Sequence, residues 1–419
     1  MTSPAEGAMS QTETLLTPVG TEVLALVAAA RVAGEPPLAT AARLRRDHPA
    51  ALVAAASAQD ELRVAARAKF SRADQMLFTR PGLEQASSEA AARHRAARLA
   101  TAAPGRLADL GCGIGGDLIA LAAGRETLAV DRDADHLLMA AHNAGVYDVA
   151  GGLATQEADV RDVALDGLAA VFADPARRAP RGAAQGAARG AARGAARDRR
   201  LRPGDSEPPL DWCFALAGPV PAVVIKAAPG LPAGTAPDGW ETEFVADGRD
   251  LKEAVLWSPA LATAATRATI LPAGDTLTPE PGDPVPVREP GPFLYDPNPA
   301  VTRSGLVEDL ARRLGAWKID ERIAFLCTER AQGTPFARTL QVVDSAPWNE
   351  KDFARRLRAR GIGAADLRRR GLAGDVDQIR RRLKLSGPHR ATLVLTRVAD
   401  RPWGLICTEP SSPAPVTAS

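Results

Sequence analysis

Residues 108–117 read Ala-Asp-Leu-Gly-Cys-Gly-Ile-Gly-Gly-Asp, and this glycine-rich stretch decides the predicted fold. The apolar run Leu107–Leu110 predicts a buried strand, and the apolar residues after the stretch predict a helix. Glycines between a strand and a helix let a ligand approach the backbone, and the helix N-terminus offers unpaired N–H donors. The stretch therefore predicts a cofactor loop. Its glycines Gly111, Gly113 and Gly116 also satisfy the GxGxxG spacing of dinucleotide sites.

Three acids that follow successive predicted strands narrow the choice of cofactor. Asp109 precedes the first glycine by two residues, where a carboxylate would repel a pyrophosphate but can accept hydrogen bonds from an amine. The methionine part of S-adenosylmethionine carries such an amine, so Asp109 favours this cofactor over NAD. Asp131 ends the next strand and can hold ribose hydroxyls of either cofactor. Asp159 follows the third strand and can accept the adenine amino hydrogen. Because aspartate is common at strand ends, one such residue indicates little. The three acids together indicate the cofactor.

Apolar runs that alternate with helical periods surround this loop. The runs Leu128–Val130, Ala169–Ala173 and Ala222–Ile225 predict strands, and Gly115–Ala123 and Asp135–Ala144 predict helices. This βαβ order is typical of a parallel sheet.

Length and charge limit the class of protein. The chain has 419 residues with 52 Lys and Arg against 50 Asp and Glu, a net charge of +2 that gives no overall field for polyanions. Four cysteines lie far apart, which excludes a zinc ribbon and a dense disulfide framework. The apolar run Val23–Ala30 follows acidic residues and is too short to span a bilayer. We expect a cytoplasmic protein with no metal and no membrane partner.

Composition also predicts how the chain is divided. We expect an N-terminal helical region over 1–100, a cofactor-binding domain over 101–270, a Pro/Gly-rich linker over 271–292, an α/β domain over 293–410 and a disordered tail over 411–419. Within the first region, Leu83–Leu99 is a strong helix candidate. The tetrads of residues 182–197 (GAAQ, then GAAR three times) predict a disordered insertion, because glycine at every fourth position destabilises a helix by about 1 kcal/mol each.

Two pairs of β-rich runs predict antiparallel hairpins. Glu241–Ala246 and Leu251–Trp257 flank the turn Asp247-Gly248, so this hairpin should close the first sheet. Ala391–Val398 and Trp403–Thr408 form a similar pair in the second α/β segment.

The loop DLGCGIGGD, followed by AVDRDADHLLMAAHNA and EADV, resembles the class I S-adenosylmethionine-dependent methyltransferases, especially the branch of trimethylguanosine synthase and its bacterial relatives. The segments LYDPNPAVTRSGLVEDLA, PFARTLQVVDSAPWNEKDFARRLRARGIG and RRRLKLSGPHRATLVLTR look like the THUMP-like domain of bacterial methyltransferases. The resemblance covers roughly residues 65–408. It implies an α/β chain: a helical segment, a Rossmann-like parallel sheet with an antiparallel terminal hairpin, and a smaller THUMP-like α/β domain.

The resemblance also implies which residues contact S-adenosylmethionine. The expected set is Asp109, Gly111, Cys112, Gly113, Gly115, Asp131, Arg132, Asp159 and Val160. The N-terminal 60 residues and the tetrads match no family that we can name.

The segment VFADPARR at residues 171–178 is the expected catalytic motif. Class I enzymes that methylate exocyclic amines resemble one another here, with Asp or Asn, two prolines and an aromatic residue. The carboxylate and the following carbonyl accept the two amine hydrogens, which turns the nitrogen lone pair toward the methyl group, so no strong base is required. This implies catalytic roles for Asp174, Pro175 and Arg177. The chain departs from the family pattern at Ala176 and Arg177, although a guanidinium can stack on a base or pair with a phosphate.

Basic residues point to the substrate. Lys226 follows the fifth strand and, like Arg178, could meet a substrate phosphate. Residues 350–390 contain thirteen basic and five acidic side chains, a local net charge of +8. Such a patch is the footprint of polyanion binding, although arginine also fills solvated helix faces. We expect substrate contacts at Arg355, Arg358, Arg369, Arg381 and Lys384.

The sequence therefore predicts an S-adenosylmethionine-dependent methyltransferase that acts on an RNA base nitrogen. Two alternatives stay open: a methyltransferase of small molecules or proteins, and a catalytically inactive binding protein, which the missing aromatic residue after Asp174-Pro175 would permit. The sequence does not indicate the oligomeric state.

Overall fold

The structure, a computed structural model, describes residues 9–177, 206–372 and 374–410. The predicted insertion at 182–197, Arg178 and the tail at 411–419 lie outside these residues. The chain divides into two units: residues 1–241 with 253–263, and residues 242–252 with 264–419. No helix of the described part of the chain is long and apolar enough to cross a membrane.

The described residues form α-helices in both units. They are α1 (Gln11–Leu16), α2 (Pro18–Val32), α3 (Pro37–Leu44), α4 (Ala50–Ala66), α5 (Arg80–Gln85), α6 (Glu89–Ala102), α7 (Leu118–Leu121), α8 (Ala134–Val146), α9 (Leu210–Ala215), α10 (Pro299–Ser304), α11 (Val307–Leu314), α12 (Glu350–Ala359) and α13 (Val376–Leu383). Short 3-10 helices cover Ala73–Gln75, Ala150–Gly152 and Val160–Asp162.

The strands alternate with these helices in the first unit and predominate in the second. They are β1 (Leu107–Leu110), β2 (Thr127–Asp131), β3 (Leu153–Glu157), β4 (Ala170–Ala173), β5 (Ala176–Arg177), β6 (Ser206–Glu207), β7 (Ala222–Ala227), β8 (Glu241–Asp247), β9 (Asp250–Trp257), β10 (Thr266–Leu271), β11 (Asp275–Leu277), β12 (Phe293–Pro297), β13 (Trp317–Lys318), β14 (Leu326–Thr328), β15 (Ala337–Pro347), β16 (Ile362–Arg369), β17 (His389–Val398) and β18 (Arg401–Thr408).

The N-terminal helices share a hydrophobic core with the cofactor-loop region. Their buried side chains, such as Val23 and Val53, belong to the same cluster as Ile114, Ile119 and Met139. The N-terminal helices are therefore built into the first unit.

The helix expected over Leu83–Leu99 is broken into α5 and α6. Helix α5 ends at Gln85, and the Ser88 side chain accepts a hydrogen bond from the Ala91 N–H to start α6. A serine at this position competes for backbone hydrogen bonds and favours a new helix start over continuation.

The first unit carries the predicted parallel sheet. Its strand order is β9-β7-β4-β1-β2-β3. The pairs from β7 to β3 are parallel, and β9 is antiparallel to β7. Strands β1 and β4 are buried along their whole length, as is typical of a sheet covered on both faces. The predicted fold class is confirmed, and the carboxyl ends of the parallel strands meet at one edge.

In the second unit, β8 pairs in parallel with β10, and β10 pairs antiparallel with β11. The sequence did not predict these two strands, and β11 lies in the Pro/Gly-rich segment 271–292. A second sheet has the order β13-β14-β12-β15-β18-β17-β16. Leu393 and Leu395 of β17 belong to one core cluster with Phe353 of α12, whereas Val394 belongs to another. This alternation shows that the sheet separates two cores, which confirms the smaller α/β domain.

Candidate active site

The glycine loop after β1 is tied to the end of β2. The Gly113 N–H donates a hydrogen bond of 2.9 Å to Asp131 Oδ2, and Gly113 adopts a φ of +51° that L side chains rarely adopt. Gly115 has a φ of +83°, and a Cβ there would lie 3.0 Å from the Ala140 Cα. The loop therefore needs glycine at both positions.

The Asp131 carboxylate is held in its ionised form. Burial raises its pKa, but the neighbouring His136 side chain and hydrogen bonds from the Asp133 and Gly113 N–H groups outweigh burial and lower the pKa below its usual value. The His136 Nδ1 lies 3.6 Å from Asp131 Oδ1, and this contact raises the pKa of the histidine. An ionised carboxylate that still has accepting capacity fits a pair of ribose hydroxyls.

The Asp109 carboxylate is buried without a partner. Its residue is 1% exposed, and neither carboxylate oxygen accepts a hydrogen bond from the residues that the structure describes. Burial raises its pKa well above the usual value, and repulsion from Asp117, Asp174 and Asp131 adds to this effect against the attraction of Lys226. A buried acceptor without a donor requires an explanation. A bound ammonium group supplies one, so this residue fits the amino group of S-adenosylmethionine.

The other residues expected at the cofactor lie in different environments. Cys112 is buried, and burial raises the pKa of its thiol well above the usual value. Arg132 is exposed after β2, and Val160 begins a short 3-10 helix. Asp159 Oδ1 accepts a hydrogen bond of 3.0 Å from the Arg161 N–H, and Oδ2 pairs with the Arg161 guanidinium. Both carboxylate oxygens of Asp159 therefore contact Arg161.

Asp174 and Lys226 meet at the carboxyl edge of the sheet. Asp174 follows β4, and its carboxylate is 33% exposed. The Lys226 Nζ lies 2.5 Å from Asp174 Oδ2 and 3.7 Å from Asp117 Oδ2. Burial opposes the charge of Lys226, but Asp174 and Asp117 outweigh it and raise the pKa of the ammonium group. The lysine expected at the substrate thus contacts carboxylates of the protein.

The backbone around Asp174 borders the glycine loop and continues into a small ribbon. The Asp174 carbonyl oxygen lies 3.6 Å from the position of a Cβ on Gly111. Pro175 is half-buried, and strand β5 after it pairs antiparallel with β6. The segment that the sequence predicts to be catalytic therefore lies directly beside the loop.

Sequence reasoning missed the residues behind this edge. Arg95 of α6 is fully buried and pairs with Asp117 and Glu253. The Asn143 side chain is also buried and hydrogen-bonds to the Leu77 backbone and to the Ile114 carbonyl, which fixes α8 against the loop. Asp117 ends the segment DLGCGIGGD and Asn143 lies near the end of AVDRDADHLLMAAHNA, but the sequence pattern alone does not indicate which groups either side chain contacts.

The five predicted RNA contacts lie on exposed positions of the second unit. They belong to α12, β16 and α13 or its C-cap, and are Arg355, Arg358, Arg369, Arg381 and Lys384. Helices α12 and α13 pack into the same core cluster, and so cover the same face of the sheet. Arg355 pairs with Asp352, Arg369 donates to the Gly374 carbonyl, and Arg381 Nε lies 3.3 Å from the Asp377 carbonyl.

No group of three or more His, Cys, Asp or Glu side chains within residues 9–177, 206–372 and 374–410 could hold a metal ion.

Three family models match parts of the chain. Residues 105–178 match the model described as RNA cap guanine-N2 methyltransferase, and residues 337–409 match the model described as THUMP domain-like. Residues 9–66 match a domain of unknown function.

Known proteins match more of the chain. An uncharacterized S-adenosylmethionine-dependent methyltransferase of Mycobacterium tuberculosis, from strains CDC 1551 and H37Rv, is 35% identical over 341 residues, 77% of this chain and 85% of the relative. The crystal structure of a candidate methyltransferase from Porphyromonas gingivalis W83 has a TM-score of 0.69 at 20% identity and covers 92% of this chain and 98% of that one, which shows the fold. On the identity and coverage of the mycobacterial relative, the chain belongs to the S-adenosylmethionine-dependent methyltransferases and uses S-adenosylmethionine as its cofactor.

Proposed function

We propose that this enzyme transfers the methyl group of S-adenosylmethionine to a base nitrogen of RNA, and that Asp174 is its catalytic carboxylate. The observation that carries the proposal is the position of Asp174: it follows β4 beside the glycine loop, and Lys226 binds only one of its two oxygens. The match of residues 105–178 to the model of RNA cap guanine-N2 methyltransferases supports an exocyclic amine as the acceptor.

The proposed cofactor contacts follow from the geometry of the loop. Asp109 accepts hydrogen bonds from the amino group, Asp131 accepts them from the ribose, and the backbone of residues 111–115 lies against the cofactor. Asp159 and Val160 lie after β3, where we place the adenine. The cofactor, when bound, supplies an electrophilic methyl group on a sulfonium.

The chemistry needs position more than basicity. Asp174 Oδ1 and the following backbone carbonyl accept the two hydrogens of the substrate amine, which directs the nitrogen lone pair along the line of displacement. The proton that the nitrogen loses can leave through water. Such positioning supplies a large part of the rate enhancement of a bimolecular reaction.

Cofactor binding gives a first prediction. S-adenosylhomocysteine should raise the melting temperature, because a ligand that binds only the folded state stabilises it by about 2.7 kcal/mol at a hundredfold excess over Kd. NAD should not. Asp131→Ala should remove the shift, and Asp166→Ala, which changes an exposed acid before β4, should keep it. A thermal-shift titration measures all of these; a shift with NAD alone would refute the site.

The basic surface of α12 and α13 supports RNA as the substrate. If its side chains contact phosphates, log affinity falls linearly with log salt, with a slope of roughly −0.7 per contact on single strands. Arg355→Gln with Arg358→Gln should flatten the slope by about 1.4, and cofactor binding should not change.

The control for the Arg355→Gln, Arg358→Gln double variant removes two arginines from the N-terminal helices. Arg43→Gln with Arg67→Gln changes side chains that are 47% and 46% exposed, and it should leave the slope unchanged. RNA binding by the full chain is measured by fluorescence anisotropy over a salt series. RNA binding that does not depend on salt would contradict the proposal that these basic side chains contact phosphates.

The direct test of the proposed function uses methyl-tritiated S-adenosylmethionine and the full chain. Total RNA, protein and small-molecule fractions come from a strain that lacks the gene. We expect label in RNA with the wild-type enzyme and about a hundredfold less, or none, with Asp174→Ala. Label in the protein or small-molecule fraction alone would establish the alternative substrate class, and no label in any fraction would favour an inactive binding protein.

We further propose that the N-terminal helices from α1 to α6 serve the methyltransferase domain, and that the α/β domain of residues 293–410 presents RNA to it. The N-terminal helices share a core with Ile114 and Ile119 beside the loop, which supports the first part. We also propose a cytoplasmic location, since all four cysteines are buried and unpaired, as in proteins of reducing compartments.

A further inference from the structure

A buried ionic network lies behind the Asp174 carboxylate. The Lys226 side chain is 13% exposed, and its ammonium group faces three acceptors of the protein. Asp174 Oδ2 lies 2.5 Å away, the Gln85 carbonyl 3.5 Å and Asp117 Oδ2 3.7 Å. An ammonium group has three N–H donors; the Asp174 and Gln85 oxygens lie within hydrogen-bond distance of it, and Asp117 interacts with it as an ion pair.

Asp117 is itself fixed from the other side. Its Oδ2 accepts a hydrogen bond of 3.0 Å from the Ser87 hydroxyl, and its Oδ1 pairs with the guanidinium of Arg95. The Arg95 side chain is 1% exposed and pairs also with Glu253. Its guanidinium carbon lies 5.6 Å from the centroid of the Phe172 ring, two residues before Asp174.

The charges of this network depend on one another. Two cations, Arg95 and Lys226, face the carboxylates of Asp117, Glu253 and Asp174. In a dry site, removing one member leaves another charge without compensation. A lysine side chain is flexible and lacks the rigid planar donor group of arginine, so the groups that it contacts determine the direction of its ammonium group.

We propose that Arg95, Asp117 and Lys226 are positioning residues of the methyl transfer, which hold Oδ2 of Asp174 so that Oδ1 remains available to the substrate amine. This inference rests on the proposed role of Asp174. Asp174 Oδ1 accepts no hydrogen bond from the described residues, whereas Oδ2 is bound by Lys226. Helix α6, which precedes the cofactor loop, thereby becomes part of the catalytic apparatus through Arg95.

The same geometry changes the role of Lys226. A substrate-binding lysine needs an ammonium group that is open to the ligand. Here the lysine side chain is largely buried and its ammonium group pairs with Asp174 and Asp117, so we place the effect of Lys226 on the substrate in its contact with Asp174.

The test needs a readout that does not depend on substrate. The full-length protein is treated with an N-hydroxysuccinimide acetate, and acylation of each lysine is followed by mass spectrometry. Lys252, whose side chain is 44% exposed, is the internal reference. We expect slow acylation of Lys226 in the wild type, and a rate several-fold higher in Asp117→Asn and Asp174→Asn, because an ammonium with fewer carboxylate partners loses its proton more readily.

The second readout separates positioning from cofactor binding. With RNA as substrate, Asp117→Asn should lower kcat by about tenfold or more, while KM and the Kd of S-adenosylhomocysteine change little. Lys226→Arg should retain more activity than Lys226→Met because it keeps the charge. Arg95→Met should lower kcat in the same way; its matched control is Arg93→Met, which removes a 68% exposed arginine from the same helix, α6, and should behave as the wild type.

Unchanged acylation and unchanged kcat in Asp117→Asn would overturn the inference, as would an equal loss of kcat and cofactor binding. If Asp117→Asn does not fold, Ser87→Ala removes only the hydroxyl on Asp117 and should change both readouts in the same direction by less. If the wild type does not methylate RNA, the proposed substrate fails, and the acylation rates still decide whether the network holds Lys226.

Discussion

We expect Asp174→Ala to lower kcat by about 10²-fold or more, because a misplaced reacting group costs this much even when the active site is otherwise intact. Cofactor binding should stay within about twofold, since Asp174 follows β4 and the proposed amino and ribose contacts belong to Asp109 and Asp131. Single-turnover methylation of RNA, together with calorimetric titration of S-adenosylhomocysteine, measures the two quantities.

Asp166→Ala is the control for this variant, since it removes an exposed carboxylate from the segment that leads into β4. It should keep the wild-type kcat. A parallel loss of cofactor binding and activity in Asp174→Ala would make Asp174 a structural or cofactor-binding residue, and the catalytic assignment would be wrong.

Asp109→Asn should have opposite effects on binding and on stability. A hydrogen bond to a charged group contributes about 1.5–3 kcal/mol, so cofactor affinity should fall by about 10-fold to 150-fold. The ligand-free protein should become more stable, because the variant removes a buried carboxyl group that accepts no hydrogen bond from the described residues and whose pKa is raised well above its usual value by burial and neighbouring carboxylates.

The raised pKa of Asp109 also determines how the stability of the protein changes with pH. The native state holds this proton more tightly than the unfolded state, so the contribution of Asp109 to stability is greatest below the ordinary aspartate pKa of about 3.9 and falls as pH rises toward the raised value. Cofactor affinity should rise over the same range, because the carboxylate is the form that binds the amine.

Both trends should be weaker in Asp109→Asn than in the wild type. Melting temperatures with and without S-adenosylhomocysteine, taken over a pH series for both proteins, measure them. An Asn variant that binds the cofactor as tightly as the wild type would contradict the assignment of Asp109 to the amino group.

The fold and the cofactor could be predicted because their determinants are local. The glycine loop, the acid that ends β2 and the buried runs of β1 and β4 each lie within a few residues, where strand and helix periods are readable. The prediction of S-adenosylmethionine is confirmed by the family to which the chain belongs. The roles of Asp174 and of the basic residues on α12 remain predictions.

The partners of these residues could not be predicted because they come from distant parts of the chain. Arg93 and Arg95 stand two residues apart in an Ala- and Arg-rich helix, yet the first is 68% exposed and the second 1%. One feature of the sequence does indicate that Arg95 is buried. It follows Ala91 and Ala92 and precedes Leu99 at helical spacing, so it lies on the apolar face of α6. A charge in such a stripe requires a buried partner.

The partners of Lys226 could not be predicted from the sequence either. A lysine near the end of a strand usually extends into solvent, and nothing in residues 222–230 indicates that Asp117, more than one hundred positions earlier, would stand beside it. The contact follows from the order of β7, β4 and β1 in the sheet, which places the ends of all three strands together.

The most direct test of the account is a comparison of methylated nucleosides in total RNA by mass spectrometry. The strains are the parent, a deletion of this gene, and the deletion complemented with the wild type or with Asp174→Ala. The account predicts that one methylated nucleoside is lost in the deletion and is restored by the wild type but not by Asp174→Ala. An identical set of methylated nucleosides in the parent and the deletion would contradict it.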